Sequence, residues 1–456
     1  MRELLQSVAQ RAARYLEDIQ DRRVGPSDTA VRDLVRFHEP MPEAPSAPED
    51  VIAMLDEVGS PATMGISGRR FFGFVIGGSL PAALGANWLA TAWDQNAGLF
   101  GATPISATLE EVSLRWLLDV LKLPAGSGGA FVTGATVANF TALAAARDAV
   151  LSEAGWDVEA QGLFGAPPIQ VVLGEEAHPS VIKSLGMLGL GRERVLRVPV
   201  DGQGRMRTDS LPSVAGPAIV CVQVGNVNTG AFDPVPAICR WAHEAGAWVH
   251  VDGAFGLWAA ASPRYAHLAD GVADADSWAT DAHKWLNVPY DSGLAFVRDP
   301  AHLRGAMSLT AAYLPQGGHR EPLMYVPELS RRARGVDVWA AMKSLGRAGL
   351  AELIDRNCAC ATLFAEILSA AGFEVLNDVV LNQVLVSFGA PDITQRVIAA
   401  IQEEGTCWCG PTLWQGRTAM RISVSSWATT LEDAERSAHA MVRVACDTIG
   451  SNSTAA

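Results

Sequence analysis

The sequence predicts an α/β protein built on a mostly parallel, seven-stranded-type sheet covered by helices, joined to a smaller C-terminal α+β region. Three observations carry this. Between about residues 100 and 300, short apolar runs alternate with longer helical patterns. Those runs are apolar throughout, as strands buried on both faces are. The chain is also long and apolar, with 456 residues, 49% hydrophobic and 18% charged side chains. That is ample for large cores, and it excludes disorder as the main state.

Taken in order, residues 1–20 place Leu4, Leu5, Val8, Ala12, Tyr15, Leu16 and Ile19 at near-helical spacing, which predicts an amphipathic helix. From Val24 to Asp50, five prolines and little periodicity predict an extended arm, suited to wrapping a second subunit. Strands are expected at Ala130–Thr133, Ile169–Leu173, Ala218–Val224, Ala247–Asp252, Ser277–Thr280 and Gly293–Val297. Helices are expected at Leu109–Leu123, Val137–Ser152, His178–Leu188 and Val235–Ala245. The Gly-, Pro- and charge-rich stretch Leu309–Pro327 reads as a mobile lid. Helices at Val336–Ala348 and Leu350–Ala371, then strands near Val384–Phe388 and Ala419–Val424, complete the small region. The division expected is 1–68 for an N-terminal helix and arm, 69–340 for a large ligand-binding domain, and 341–456 for a small domain.

Charge and cysteines narrow the function. A net charge of −14 argues against nucleic-acid or anionic-membrane partners, which need a basic surface. Seven scattered cysteines, an odd number, fit a reducing cytoplasm rather than a disulfide scaffold. Cys358/Cys360 and Cys407/Cys409 lack a histidine to complete a zinc set, so no metal is expected and they read as small buried hydrophobes. The N-terminus has no apolar signal core. Three uncharged stretches, Phe71–Trp93, Leu123–Ala146 and Ser210–Phe232, are long enough to span a bilayer, but glycines, prolines and polar groups break each of them.

Three segments carry chemistry. The apolar strand Ala247-Trp-Val-His-Val-Asp252 ends in a carboxylate at the edge where parallel sheets bind ligands; a helix cap is the ordinary alternative. Lys284, in Asp281-Ala-His283-Lys284-Trp285, follows a short strand, and only four of the 35 basic residues are lysines. A partly desolvated lysine has a lowered pKa and suits a Schiff base. In Thr133-Gly134-Ala135-Thr136, a tight turn opens a helix whose free N–H groups and the Thr136 hydroxyl can cradle one phosphate. It is neither a Walker loop nor a dinucleotide fingerprint, and could also be a plain strand–helix connection. Phosphate, carbonyl for Lys284 and basic nitrogen for Asp252 together describe pyridoxal 5′-phosphate. His178, in Glu175-Glu-Ala-His-Pro-Ser, fits as a ring-stacking group or as an ordinary polar residue.

The chain here resembles the group II pyridoxal-phosphate-dependent amino acid decarboxylases, of the aspartate aminotransferase fold (fold type I). The resemblance rests on Arg70-Phe-Phe-Gly-Phe, Thr103-Pro-Ile-Ser-Ala-Thr-Leu-Glu-Glu, the Gly134-Ala-Thr turn and His178. It continues through Gly230-Ala-Phe-Asp-Pro, His250-Val-Asp-Gly-Ala, Asp281-Ala-His-Lys-Trp, Ser330-Arg-Arg-Ala-Arg and Met420-Arg-Ile. It implies decarboxylation of an L-amino acid to the amine and CO₂, with Lys284 as the Schiff-base lysine. His283 would lie on the phosphate side and touch the intermediate. Asp252 would pair with the ring nitrogen, and Ala254 and His178 would lie on opposite ring faces. Gly134, Ala135 and Thr136 would hold the phosphate, with Asp281. It also implies a homodimer with intertwined N-terminal segments. Arg421 becomes a carboxylate-clamp candidate, equally readable as a structural ion pair, and Ser79 a substrate contact or a plain turn serine. Two departures stand out. The loop tyrosine that donates a proton in aromatic-substrate members is replaced by a stretch in which Tyr325 is the nearest tyrosine and His319 another donor. Asn226-Val227 replaces a threonine pair. These leave room for another lyase, an aldehyde synthase or an aminotransferase, or, outside enzymes, a non-catalytic binding relative. Retention of Lys284 and Asp252 argues against the last.

Overall fold

The computed structural model describes residues 1–308 and 318–453. It divides into two compact units, Gly77–Cys358 with Asn377–Gln383, and Met1–Ile76 with Ala359–Leu376 and Val384 onward.

The larger unit is built on seven strands: β1 (Gly128–Val132), β2 (Gln170–Gly174), β3 (Val195–Val198), β4 (Ala218–Gln223), β5 (Trp248–Asp252), β6 (Ser277–Asp281) and β7 (Gly293–Val297). Their order is β1-β7-β6-β5-β4-β2-β3. From β3 to β6 all neighbours are parallel; β7 runs antiparallel to both β6 and β1. The expected mostly parallel seven-stranded sheet is therefore what forms. β1, β6 and β7 are buried at every position, which is why β1 and β7 read as unbroken apolar runs. β3 was not anticipated. It is the edge strand, and Leu196 and Arg197 are exposed, so its apolar signal is diluted.

Helices cover the sheet. Ala135–Glu153 is alanine-rich and apolar on all sides, with Ala138, Ala142, Ala145 and Ala146 buried. Alanine favours the helix and its small side chain lets the backbone approach β5, β6 and β7 closely. Pro104–Val120 begins five residues before the expected start because Pro104 supplies a pre-set first turn. The long Arg334–Ala370 helix breaks at Gly346, which sits at φ 59°, three residues before the division expected at position 349.

In the smaller unit, β8 (Glu374–Val375), β9 (Gln383–Ser387), β10 (Gly410–Trp414) and β11 (Arg417–Ser423) make a sheet of order β10-β11-β9-β8. Phe71 stacks on Trp408 with centroids 5.1 Å apart, and the Phe72 N–H donates to the Trp408 carbonyl. The N-terminal helix forms at Arg2–Asp18 as expected. The arm from Val24 to Asp50 departs from the extended form expected. It folds a short helix at Asp28–Asp33, capped by Ser27, then a 3-10 turn at Leu34–Phe37, and Pro48 opens another helix. A serine cap and a proline at the first helical position overrode the weak periodicity. No helix among the described residues is long and apolar enough to cross a membrane.

Of the stretch expected as a lid, 309–317 lie outside the described residues. Beyond them, His319 stacks on Phe100 and Pro322–Tyr325 forms a 3-10 turn.

Candidate active site

Strand register assembles the site in the larger unit. Gly293 at the start of β7 pairs with Val132 at the end of β1 on one side and Asp281 at the end of β6 on the other. The turn at Gly134 and the Asp281–Lys284 turn are thereby brought to one sheet edge. Close approach depends on glycine, since a Cβ on Gly293 would fall 2.4 Å from the Gly134 Cα. One strand over, β5 delivers Asp252 to the same edge.

Asp281 is the hub. Its Oδ1 accepts the Ala135 N–H at 2.6 Å, and its Oδ2 lies 2.9 Å from Lys284 Nζ. The carboxylate thus caps the N-terminus of the Ala135–Glu153 helix, where first-turn N–H groups favour an anion. The Lys284 side chain is 17% exposed, partly desolvated as expected. His283 Nε2 is 3.6 Å from Asp281 Oδ1. The Ser292 N–H donates to His283 Nδ1 at 3.1 Å, which leaves the proton of the neutral ring on Nε2, facing that carboxylate. Burial lowers the His283 pKa, with Asp281 opposing, and the ring stacks on Tyr290 at 4.2 Å.

Asp252 is buried, with Oδ1 3.3 Å from the Ala254 N–H. Its Oδ2 has no hydrogen-bond partner among the described residues. Burial raises its pKa, while His178 and Lys284 oppose the rise electrostatically. The Ala254 carbonyl accepts the Asp281 N–H at 2.9 Å, which ties the Asp252 and Asp281 strand ends together. His178 caps the Pro179–Met187 helix, its Nδ1 accepting the Ser180 N–H at 3.2 Å. Thr136, on the first turn after Gly134, is held from behind by Ser184, whose hydroxyl donates to its carbonyl.

Ser79 lies in a turn docked on the backbone that follows Lys284. The Gly78 N–H donates to Asn287 Oδ1 at 2.6 Å and the Leu80 N–H to the Asn287 carbonyl at 2.8 Å. A Cβ on Gly77 would meet the Lys284 carbonyl oxygen at 2.0 Å. The Tyr325 ring lies under the Arg320 guanidinium, 4.3 Å from it, and no described hydrogen bond or ion pair joins it to Lys284. Arg421 is on β11 of the smaller unit, where burial lowers its pKa. Asn226 spends its side chain on its own turn, Oδ1 accepting the Asn228 and Thr229 N–H groups.

Sequence reading did not single out Asn139, Ser180, Asn287, Tyr290 or Ser292. Their partners lie on other elements, and no local pattern marks them. His250 was quoted in a motif without a role, yet it is fully buried and hydrogen-bonded at both ring nitrogens.

The residues fit pyridoxal phosphate. A buried carboxylate oxygen without a donor suits a protonated ring nitrogen, the helix N-terminus suits a phosphate, and the largely shielded Lys284 amine pairs with Asp281 and acts electrostatically on Asp252. The fold and the site together define a pyridoxal-phosphate enzyme. The model of the pyridoxal-dependent decarboxylase conserved domain matches residues 36–390, and the chain belongs to that family. It is a pyridoxal-phosphate-dependent amino acid decarboxylase, as the sequence motifs led us to expect. Among relatives, tryptophan decarboxylase 1 of Oryza sativa subsp. japonica is 28% identical over 84% of this chain and 82% of its own. The aromatic-L-amino-acid decarboxylase of Sus scrofa is 28% identical over 91% and 90%. The crystal structure of Oryza sativa TDC with PLP and tryptamine superimposes with a TM-score of 0.90 at 22% identity, covering 98% and 97% of the two chains, and so shares the fold.

Proposed function

We propose that this chain decarboxylates an aromatic L-amino acid to the amine and CO₂, with Lys284 as the Schiff-base lysine. One observation carries the placement: Asp281 holds the Lys284 amine and a helix N-terminal N–H together, beside the unpaired Asp252 oxygen. The aromatic class is supported by the relatives named above and by the stacked His283–Tyr290 pair next to Lys284.

Bound pyridoxal phosphate supplies an aldehyde carbon that condenses with amines and a ring that takes up electron density from the breaking Cα–carboxylate bond. The chain's residues do the rest. Gly134, Ala135 and Thr136 would hold the phosphate end, and Asp281 orients that turn by accepting the Ala135 N–H. Asp252 Oδ2 accepts the ring N–H; a buried charge without a partner is costly, so the site favours a cation there. His178 and Ala254 take the two ring faces. Asp281 would hold the free Lys284 amine as an ion pair, and His283 Nε2 would present a proton on the same side. Arg421 offers a two-pronged fork to the substrate carboxylate, and Ser79 a hydroxyl. Tyr325 returns the proton to Cα. A second reading, aldehyde formation, is favoured by the placement of Tyr325 under Arg320: if Cα were not protonated, dioxygen would take up two electrons and two protons as hydrogen peroxide, and water would release the nitrogen as ammonia to leave the aldehyde.

We further propose a homodimer in the cytoplasm, with residues 1–68 as intertwining arm, 69–340 as cofactor-binding domain and 341–456 as small domain. Exposed Val31, Val35 and Phe37 on the arm support a covered face there.

Borohydride reduction of the loaded enzyme should fix the pyridoxyl group on Lys284 and nowhere else; a label on Lys183, or none, overturns the assignment. Incubation with single amino acids should release CO₂ and amine from aromatic ones. Tyr325→Phe should slow turnover or divert product from amine to aldehyde. Unchanged rate and product would remove Tyr325 from the reaction.

A further inference from the structure

Behind His178 runs a buried chain of hydrogen bonds that the reaction does not itself require. Trp248 Nε1 donates to Ser277 Oγ at 2.9 Å, and Ser277 Oγ lies 2.9 Å from His250 Nδ1. His250 Nε2 lies 2.9 Å from Asn139 Oδ1, and Asn139 Nδ2 donates to Ser180 Oγ at 3.2 Å. Ser180 Oγ ends the chain 2.8 Å from His178 Nδ1. The members come from β5, β6, the Ala135–Glu153 helix and the start of the Pro179–Met187 helix. His250, Asn139 and Ser277 are each 0% exposed, so water cannot stand in for a missing partner.

Donor and acceptor chemistry gives the chain one direction. An amide oxygen only accepts, so His250 carries its proton on Nε2, and its Nδ1 takes the Ser277 hydroxyl proton. Ser180 Oγ accepts from Asn139 and its O–H donates to His178 Nδ1, which also accepts the Ser180 N–H. Each donor along the path then meets an acceptor, with His178 Nδ1 accepting both Ser180 donors, in agreement with burial that holds His250 neutral, its pKa pushed down to about 3. Partly satisfied networks of this kind are costly, and fully satisfied ones fix side-chain orientation.

We propose that Asn139, His250, Ser180 and Ser277 are positioning residues that lock His178 in the Nε2–H tautomer with its ring plane fixed, before any ligand arrives. Neither ring rotation nor proton exchange between the nitrogens is then available to His178 without breaking the chain. The inference rests on the proposed placement of His178 against the cofactor ring for its functional consequence, and on the hydrogen bonds alone for the tautomer.

The test uses ¹⁵N-histidine-labelled protein free of cofactor, with His178 and His250 signals assigned by His178→Gln and His250→Gln. Both residues should show the Nε2–H tautomer. In Asn139→Leu, His178 should become a tautomer mixture, and affinity for added pyridoxal phosphate, read by absorbance titration, should fall about tenfold, as for one lost buried hydrogen bond. Ser180→Ala should act the same way and Ser180→Thr, which keeps the hydroxyl, should restore both readouts; this pair guards against misfolding in Asn139→Leu. An Nδ1–H tautomer of His178 in the parent protein, or variants with unchanged tautomer and affinity, would overturn the proposal. If the parent protein fails to bind pyridoxal phosphate, the functional placement of the site fails, while the tautomer spectra still decide the network.

Discussion

Asp252 is the residue at which stability and chemistry oppose each other. Burial raises its pKa, and one oxygen lacks a donor. A carboxyl raised in the folded state contributes stability that is full below its unfolded pKa and is lost as pH climbs through its folded one. Above the ordinary carboxyl range the cofactor-free fold therefore holds Asp252 at a cost. Asp252→Asn should stabilise that form by about 1–2 kcal/mol in urea unfolding at about pH 8, and less at about pH 4. The same variant should lose roughly 100-fold or more in decarboxylation, because a neutral amide cannot pair with a ring N–H cation. A destabilised variant with intact turnover would contradict both halves. Asp252 and Lys284 were legible in the sequence because strand ends and a scarce residue type mark them. Asn139 was not, since its partner His250 is 111 positions away and nothing local announces it.

Element ends decide whether the cradle closes. β7 must begin with a residue that has no Cβ, as a methyl at Gly293 would drive into the Gly134 backbone at 2.4 Å. Gly293→Ala should destabilise by about 1–3 kcal/mol through overpacking and weaken pyridoxal phosphate retention more than Gly305→Ala on the Pro300–Met307 helix, where the new methyl would face the end of the Asp148 side chain. Equal retention in the two variants would show that the close approach does not shape the cradle. On the Arg334–Ala370 helix, Asp337 is raised to about 6 by burial, with the Asn87 hydrogen bond opposing. Stability tied to Asp337 is thus full below about pH 4 and lost through about pH 6. Asp337→Asn should flatten that part of the pH–stability curve and raise stability at about pH 8 by on the order of 1–2 kcal/mol. An unchanged slope would mean that Asp337 is solvated.

At the scale of the whole molecule, two segments each expose several large apolar side chains. Trp88, Leu89 and Trp93 lie exposed on the Pro81–Trp93 helix, and Val31, Val35 and Phe37 on the arm. Their number suits a second copy of the chain. Sedimentation should give twice the chain mass of 48.2 kDa, and Trp88→Glu with Leu89→Glu should shift it toward the monomer. A monomer at micromolar concentration in the parent protein would refute the homodimer. The Phe71–Trp93 stretch shows the limit of hydropathy here. Its length fits a bilayer, yet only Pro81–Trp93 is helical, and Gly77 and Gly78 instead dock on the Lys284 turn.

The sequence by itself determined the parallel sheet, six of its seven strands and the place of Asp252, Lys284 and the Gly134 turn at strand ends. Apolar period and residue type report on local burial, and these features are local. The edge strand β3, the helices within the arm, the joining of Gly134 to Asp281 across β7, and the chain from Trp248 to His178 were decided only by tertiary structure. Each depends on which distant segment a residue meets, and a hydrogen bond between residues 111 apart leaves no periodic trace in the chain.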